Sequence, residues 1–361
     1  MKIAILTLRV DNNYGGHLQR YALSCVLRDM GHDATVLYFR STWLNDSIKR
    51  KITIITKNLI KAILGRKHNP VLYWKHEDYR WEDIRAHAYP FFERYVKHSS
   101  IIYDVASLQH VVDKENFDAY IVGSDQVWRK RYTERWGVSH FFLDFAPQGA
   151  KKIAYAASFG LPDMEYDKDE IQRLAKLYKQ FSAVSVREDS GIDILEKYGW
   201  TSPQACLVLD PTMLLSKEHY QELIKKGHTV PSKGNMFCYV LDENDEILEK
   251  VKKYAKEKNL KPFFASIEGE NRMSIEQWLR SFDEAEFIVT NSYHGVVFAL
   301  IFGKPFYLIH NNQRGNARFD SLMKVFQLNV NENYIDEEEI NKKIASLKDY
   351  SIEFLKYSLL K

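Results

Sequence analysis

The chain has 361 residues, more than one hydrophobic core usually serves, so two domains are expected. Hydrophobic residues make up 45% of it and charged residues 27%, which excludes an intrinsically disordered chain. A net charge of +3 over this length argues against a nucleic-acid-binding protein.

The cysteines and the hydropathy pattern indicate a cytoplasmic protein. Cys25, Cys206 and Cys238 are odd in number, far apart and free of C-x-x-C spacing, so neither a disulfide framework nor a zinc site is expected. The apolar run at residues 3–8 is too short for a signal peptide, and no stretch reaches the about 20 apolar residues that span a bilayer. We therefore expect a cytoplasmic protein, with the inner face of the membrane as the alternative location.

The first half of the chain predicts a parallel α/β sheet. An apolar strand at residues 3–8 leads through a glycine turn into a helix at 17–30 and then into a second strand at 34–39. This order begins a doubly wound sheet, in which ligands bind at the carboxyl ends of the strands. Further strands, each ending in small or polar residues, are predicted at 119–122, 152–157 and 183–186.

A basic segment interrupts this series at about residues 47–76. It contains no acidic residue, and its apolar side chains fall on one helical face: Ile48, Ile52, Ile55, Leu59 and Ile63. A basic amphipathic helix of this kind can lie on an anionic membrane. The alternative is that the apolar stripe packs on the protein and the lysines are merely solvated.

The second half repeats the α/β pattern, with strands predicted at 236–241, 262–265, 286–290 and 305–308. We therefore predict a GT-B-like fold, with two Rossmann-like domains whose parallel sheets face each other across a cleft. The N-terminal domain is placed at residues 1–205 and the C-terminal domain at 206–361. The helical tail from Glu337 onward can return to the first domain.

Two segments of the first domain suit a ligand. Gly15 and Gly16 lie where a helix starts, and backbone N–H groups there can bind an anion, although an ordinary strand-to-helix turn is equally compatible. The turn matches neither the dinucleotide nor the phosphate-loop fingerprint. After the strand at 119–122, Asp125, Gln126 and Trp128 are placed to contact a polar substrate; the alternative is a helix capped by Asp125.

Two charged positions follow other predicted strands. Arg187 ends the strand at 183–186, where a guanidinium can grip a carboxylate or phosphate through two parallel hydrogen bonds. The alternative for Arg187 is a pair with Glu188. His294 starts a helix beside Asn291 and Ser292, and a histidine there can exchange protons near neutral pH. The alternative for His294 is a helix-capping role.

Taken in order, these segments resemble the polysaccharide pyruvyl transferase family. The resemblance covers nearly the whole chain and rests on Asn13-Tyr14-Gly15-Gly16, Val122-Gly123-Ser124-Asp125-Gln126-Val127-Trp128, Ala156-Ala157-Ser158-Phe159-Gly160, Ser185-Val186-Arg187-Glu188, Leu209-Asp210-Pro211-Thr212, Asn291-Ser292-Tyr293-His294-Gly295 and Gly303-Lys304-Pro305-Phe306.

The resemblance implies transfer of pyruvate from phosphoenolpyruvate, a co-substrate, to a pair of sugar hydroxyls, forming a cyclic ketal without a metal ion. The acceptor is then a cell-surface glycan, such as capsule or exopolysaccharide, or its lipid-linked precursor. On this resemblance, the residues expected at the phosphoenolpyruvate donor are Arg187, Asn291, Ser292, His294 and Gly295. By analogy the acceptor side falls on Gly15, Gly16, His17, Ser124, Gln126, Trp128 and Ser158.

Ser292 departs from the family pattern, because some members have an arginine there. Arg314 and Arg318 are the candidates for the missing cation, and His17 and Arg20 are further options. In the mechanism that we expect, His294 is the general acid toward the donor methylene and Asp125 the base for the sugar hydroxyl.

Two other functions remain open at this point. A GT-B glycosyltransferase that uses a sugar nucleotide would share the fold, since fold alone does not decide chemistry. A non-catalytic glycan-assembly protein on the same scaffold is the second alternative, and the absence of an arginine at Ser292 keeps it open. The sequence identifies neither the acceptor sugar nor the oligomeric state.

Overall fold

The computed structural model describes residues 1–40, 48–65, 84, 86–241, 244–266, 271–309, 317–328 and 336–360. Arg314 and the end of the basic segment lie outside these residues.

The first domain is built on a six-stranded parallel sheet with the order β2-β1-β3-β4-β5-β6. Its central strand β3 is buried along its whole length, as expected for a sheet covered by helices on both faces. The strands are β1 Lys2–Leu6, β2 Asp33–Val36, β3 Ala119–Asp125, β4 Lys151–Ala157, β5 Ala183–Val186 and β6 Ala205–Leu207.

The helices of this domain connect its strands. The side chain of Asn13 accepts a hydrogen bond from the Gly16 N–H and so caps the first helix. The helices are α1 Tyr14–Asp29, α2 Ile48–Ile63, α3 Tyr89–Tyr95, α4 Val105–Glu115, α5 Lys130–Thr133, α6 Lys168–Tyr178 and α7 Asp189–Lys197, with a 3₁₀ turn at Val138–Phe142.

The second domain carries a four-stranded parallel sheet with the order β10-β9-β7-β8. Its strands are β7 Met236–Tyr239, β8 Pro262–Ala265, β9 Phe287–Thr290 and β10 Phe306–Leu308. Its helices are α8 Lys217–Lys226, α9 Asp245–Lys258, α10 Ile275–Glu284, α11 Tyr293–Ile301, α12 Ala317–Phe326 and α13 Glu337–Leu360, preceded by a 3₁₀ turn at Pro211–Leu214.

The two domains are joined at two places. The first sheet ends with β6 at Leu207, so the domain boundary lies just beyond the predicted residue 205. The last helix, α13, contacts the first domain, where the Lys151 ammonium donates to the backbone carbonyl of Leu359 at 2.5 Å. Its Ser351 hydroxyl oxygen also accepts from the backbone N–H of Leu209 at 3.0 Å.

Helix α2 corresponds to the described part of the basic segment. Of its predicted apolar stripe, Ile48 and Ile63 are each 76% exposed and Ile52 is 59% exposed, whereas Ile55 is half-buried. Asn58, on another face of the helix, is buried. For Ile48, Ile52 and Ile63, the alternative in which the stripe packs on the described part of the protein is therefore wrong. Within the described residues, no helix is both long and apolar enough to cross a membrane.

Candidate active site

A cavity of about 390 Å³ lies where the carboxyl ends of the two sheets meet. Segments that follow β1 and β3 form one wall, and segments that follow β7 and β9 form the other, as expected for ligand sites in open α/β sheets. The lining residues are Leu8, Arg9, Asp11, Asn12, Asn13, Asp125, Gln126, Arg131, Tyr132, Glu134, Arg135, Trp136, Leu241, Asn291, Ser292, Tyr293, His294 and Arg318.

A buried ion network lies beneath the cavity and centres on Arg187. Its guanidinium lies 2.7 Å from Asp125 and 2.9 Å from Asp210, and its Nε lies 3.6 Å from Glu188. The Arg187 side chain has no exposed surface and is not among the groups lining the cavity. The prediction of Arg187 as a direct donor clamp is thus corrected, because its charge is already bound by carboxylates.

The network lowers the pKa of two of its carboxylates, whereas burial raises the pKa of the third, Glu188. Burial alone would raise the pKa of Asp125, but Arg187, His294 and Arg318 together hold that pKa below its usual range. Burial likewise opposes ionisation of Asp210, yet the His294 ring, whose Nε2 lies 3.7 Å away, and the charge of Arg187 lower its pKa. A carboxylate with a lowered pKa is a weak general base, so these environments favour electrostatic and positioning roles.

Asp210 is the functional residue that the sequence interpretation did not assign. It lies in the turn after β6 and is fully buried. Its carboxylate accepts from the Ser124 hydroxyl at 3.1 Å, from the Thr212 hydroxyl at 2.8 Å and from Arg187. The sequence did mark this position, because Leu209-Asp210-Pro211-Thr212 is one of the segments that carry the family resemblance. That segment alone, however, did not show which residue pairs with the carboxylate.

His294 joins this network to the cavity. It occupies the first turn of α11, is buried, and places Nε2 3.7 Å from a carboxylate oxygen of Asp210. The Cγ–Nδ1 edge of the ring lies against Gly15: a Cβ built on that glycine would lie 2.1 Å from both atoms. A carboxylate behind a histidine helps to hold the ring in one orientation.

The glycine turn therefore has a different function from the predicted anion site. Gly15 is required for the close approach between the two domains at His294. The N–H of Gly16 is already bound to the Asn13 side chain at 3.2 Å. Neither glycine lines the cavity, so the assignment of both to the acceptor is corrected.

The turn after β9 supplies polar groups to the second wall. The Asn291 carbonyl oxygen accepts from the Leu241 N–H at 2.7 Å, while its amide nitrogen is buried without a partner among the described residues. Ser292 caps α11 by accepting from the Gly295 N–H at 3.4 Å. Gly295 packs against the Thr290 side chain and does not line the cavity, so its predicted donor contact is not seen.

Arg318 supplies a cation to the wall that contains Ser292, the position at which some family members have an arginine. It is buried, lines the cavity from α12, and its guanidinium lies 5.7 Å from the centre of the Tyr293 ring. Burial and the nearby charge of Arg187 lower the pKa of Arg318. Of the candidates for the missing arginine, Arg20 is turned elsewhere: it is buried and donates to backbone carbonyls of residues 8 and 9 at 3.1 Å.

Most of the predicted acceptor residues lie outside the cavity, although Gln126 lines it. Trp128 is a core residue whose indole N–H donates to the Phe141 carbonyl. Ser124 and Ser158 are fully buried. His17 lies beneath the cavity, where burial lowers its pKa well below the usual value.

Part of the cavity wall comes instead from the segment just after Trp128, which the sequence interpretation passed over. It lines the cavity with two arginines, an acid and two aromatic side chains: Arg131, Tyr132, Glu134, Arg135 and Trp136. Aromatic rings beside planar charged groups are common in polar ligand sites. The signal was this concentration of arginine and aromatic residues directly after a glycine-bearing strand end.

No three His, Cys, Asp or Glu side chains in the described part of the chain are grouped so that they could hold a metal ion.

Two parallel α/β domains around this cleft define a protein of the GT-B fold, and solved structures share that fold. The UDP-GlcNAc 2-epimerase from Methanocaldococcus jannaschii is 12% identical, aligns over 99% of this chain and 100% of its own, and has a TM-score of 0.50. The enzyme of the same name from Neisseria meningitidis, bound to UDP-GlcNAc, is 11% identical over 99% and 94% of the two chains, with a TM-score of 0.48. At these identities the likeness concerns the fold alone.

The chain belongs to the polysaccharide pyruvyl transferase family, whose sequence model matches residues 13–313. That match includes the whole Arg187 network and His294. The family identifies the chain as a transferase of polysaccharide pyruvylation acting on a glycan. A search of the curated proteins gives no match.

Proposed function

We propose that this protein transfers pyruvate from phosphoenolpyruvate to two hydroxyls of one sugar, in a cell-surface glycan or its lipid-linked precursor, and forms a cyclic ketal. The observation that carries the proposal is the position of His294, held between Gly15 and Asp210 at the wall of a cavity that also contains Arg318. The three free cysteines suit a reducing compartment, so we place the reaction in the cytoplasm.

The donor-binding part of the proposal uses the second wall. Phosphoenolpyruvate carries a carboxylate and a phosphate, and Arg318 offers a planar guanidinium that suits either group. The Asn291 amide nitrogen is a buried donor beside the cavity, and the N-terminus of α11 adds the positive end of its helix dipole. These groups place the donor next to the His294 ring.

The reaction proceeds in two additions to the same carbon. His294 donates a proton to the methylene carbon of phosphoenolpyruvate, which becomes a methyl group, while the central carbon becomes oxocarbenium-like. A first sugar hydroxyl adds to the central carbon, and its proton returns to the histidine. The C–O bond to phosphate then breaks, a second hydroxyl adds, and its proton leaves with phosphate.

The Arg187 network supports this chemistry from beneath. Nε2 of His294 faces Asp210, which leaves Nδ1, beside Gly15, as the ring nitrogen for the substrate. The carboxylate of Asp210 lies behind the ring and helps to orient it toward the donor. We propose Asp125, the predicted base, as the group that orients the sugar hydroxyls from the cavity floor, because Arg187 holds its carboxylate in one place.

Thermal unfolding of the purified protein with phosphoenolpyruvate, and with UDP- and GDP-sugars in parallel, tests the donor. A ligand that binds the native state at 100 times its Kd adds about 2.7 kcal/mol of stability. We expect a shift with phosphoenolpyruvate that is lost in Arg318→Ala and kept in Arg173→Ala, which removes an exposed arginine. A shift with a sugar nucleotide alone would instead support the glycosyltransferase alternative.

The acceptor needs a separate experiment. The protein is incubated with phosphoenolpyruvate and a panel of nitrophenyl hexosides with neighbouring free hydroxyls, and phosphate release is measured. The product mass should show one carboxyethylidene group on the sugar. Binding of a glycan without phosphate release from any member of the panel would favour the non-catalytic alternative.

A further inference from the structure

We infer that helix α2, Ile48–Ile63, docks on an anionic phospholipid bilayer. The first observation is where exposed apolar side chains occur. Of the fourteen large apolar side chains that are exposed in the described residues, six fall between residues 48 and 64. They are Ile48, Ile52, Leu59, Ile60, Ile63 and Leu64. A contiguous apolar surface of this kind marks an interaction site.

The helix also exposes the face that a helix packed on its own protein would bury. Asn58 is buried and Lys51 and Lys61 are half-buried, whereas Ile48, Ile52, Leu59 and Ile63, spaced four, seven and four residues apart, are exposed. In a globular protein the apolar stripe of a surface helix faces the core. Within the residues that the structure describes, the outward stripe has no burial partner.

The charge of the helix indicates what kind of surface would bury this stripe. Its sequence contains five lysines and arginines and no acidic residue. Anionic lipid headgroups attract such a helix, and its apolar face then enters the headgroup boundary. A second copy of the same helix would bring like charges together, which disfavours self-association through this face.

The length of α2 fixes how it lies. Sixteen residues make a helix of about 24 Å, and no described helix meets the requirements for a membrane span, so α2 lies in the plane of the surface. The chain leaves the first sheet beyond the carboxyl end of β2, the sheet edge that also carries the cavity.

Co-sedimentation with vesicles tests the docking. The full-length protein is mixed with phosphatidylcholine vesicles with and without phosphatidylglycerol. We expect sedimentation only with the anionic vesicles, and less of it at high salt, because salt screens the lysines. In Ile52→Ser/Ile63→Ser the partition coefficient should fall at least tenfold. Both side chains are solvent-exposed, so the variant should retain its unfolding temperature.

The matched control is Val230→Ser/Tyr357→Ser, which removes two side chains that are 62% and 58% exposed elsewhere. This control should bind vesicles like the unmodified protein. The inference is overturned if the unmodified protein stays in the supernatant, or if both double variants sediment equally. It is also overturned if the Ile52→Ser/Ile63→Ser change abolishes self-association instead of vesicle binding. The phosphoenolpyruvate-induced thermal shift should persist in Ile52→Ser/Ile63→Ser, so failure of docking and failure of the proposed function are distinguishable.

Discussion

The floor and the second wall of the cavity differ in the partners of their buried polar groups. On the floor, Arg187 is bound to Asp125 and Asp210, and Asp210 also accepts from Ser124 and Thr212. On the second wall, the Asn291 amide nitrogen is buried without a hydrogen-bond partner among the described residues; the unpaired buried atoms of the floor, Arg187 Nε and Glu188 Oε2, lie 3.6 Å from each other. Buried polar groups left unpaired in a native structure cost stability and are common where a ligand supplies the missing bond.

This difference separates two functions within one site. In the proposed function, the floor fixes geometry and charge before any ligand binds, and the second wall binds the substrate. Substitutions on the floor should therefore lower the free energy of unfolding more than they lower turnover. Substitutions on the second wall should mainly lower turnover or donor binding. Four experiments test that division.

The largest effect is expected on the floor, for Arg187→Met. The variant leaves three buried carboxylates without their cation, and removing one partner of a buried ion network costs about 3–5 kcal/mol. Urea unfolding measures the loss, with Arg173→Met as the control for a solvent-exposed arginine. A loss below about 1 kcal/mol would mean that the network contributes little to the fold and would return Arg187 to direct donor binding.

The next largest effect is expected on the wall, for His294→Ala. Loss of a general acid should lower the rate of phosphate release at least about 10²-fold, or about 2.7 kcal/mol in the barrier. The free energy of unfolding should change by less than the Arg187→Met value, because Nε2 of His294 has no hydrogen-bond partner to lose. Unchanged turnover in a folded variant would remove His294 from the mechanism.

The Gly15→Ala variant tests the contact between floor and wall. A Cβ there would lie 2.1 Å from the His294 ring, so either the ring or the domain must move, at a cost of about 1–3 kcal/mol. We expect turnover to fall at least about tenfold. Gly16→Ala is the control, since its added Cβ meets nothing closer than 3.5 Å and alanine suits a helix. Equal turnover in the two variants would mean that catalysis does not require the close approach between Gly15 and the His294 ring.

The sequence predicted the fold well because its signals are local. Short apolar runs that alternate with helical patterns identified both sheets, and GT-B is confirmed as the fold class. Buried pairing is not local: Arg187 and Asp210 are 23 residues apart and Arg187 and Asp125 are 62 apart. Pattern alone could identify these residue types at strand ends, but it could not show that the arginine was already neutralised.

The same limit explains the misassigned glycine turn. A glycine at a helix start predicts an anion site or a tight approach equally well, and only the position of His294 in the other domain separates the two. Trp128 shows the converse, because a tryptophan after a strand end suits either a ligand or the core. Its indole N–H donates to Phe141 and its ring stacks on Phe142, which places it in the core.

The smallest effect is expected for His17→Gln, which tests whether a group beneath the cavity acts on stability alone. Burial, and then the charge of Arg20, lower the pKa of His17 well below 6.5, so the folded protein holds it neutral. As the pH falls below about 6.5, the unfolded chain takes up a proton that the folded chain excludes, and stability is lost by up to about 1.4 kcal/mol per pH unit. Above that pH the contribution is fully present.

The unfolding temperature of the unmodified protein should therefore drop more steeply between neutral and mildly acidic pH than that of His17→Gln. The glutamine amide can still donate to the Asp11 carbonyl, which His17 contacts at 2.6 Å. The shift produced by phosphoenolpyruvate at neutral pH should be the same in both proteins. Equal pH slopes would mean that His17 is protonated in the folded state, and a lost phosphoenolpyruvate shift would mean that the floor also contributes to donor binding.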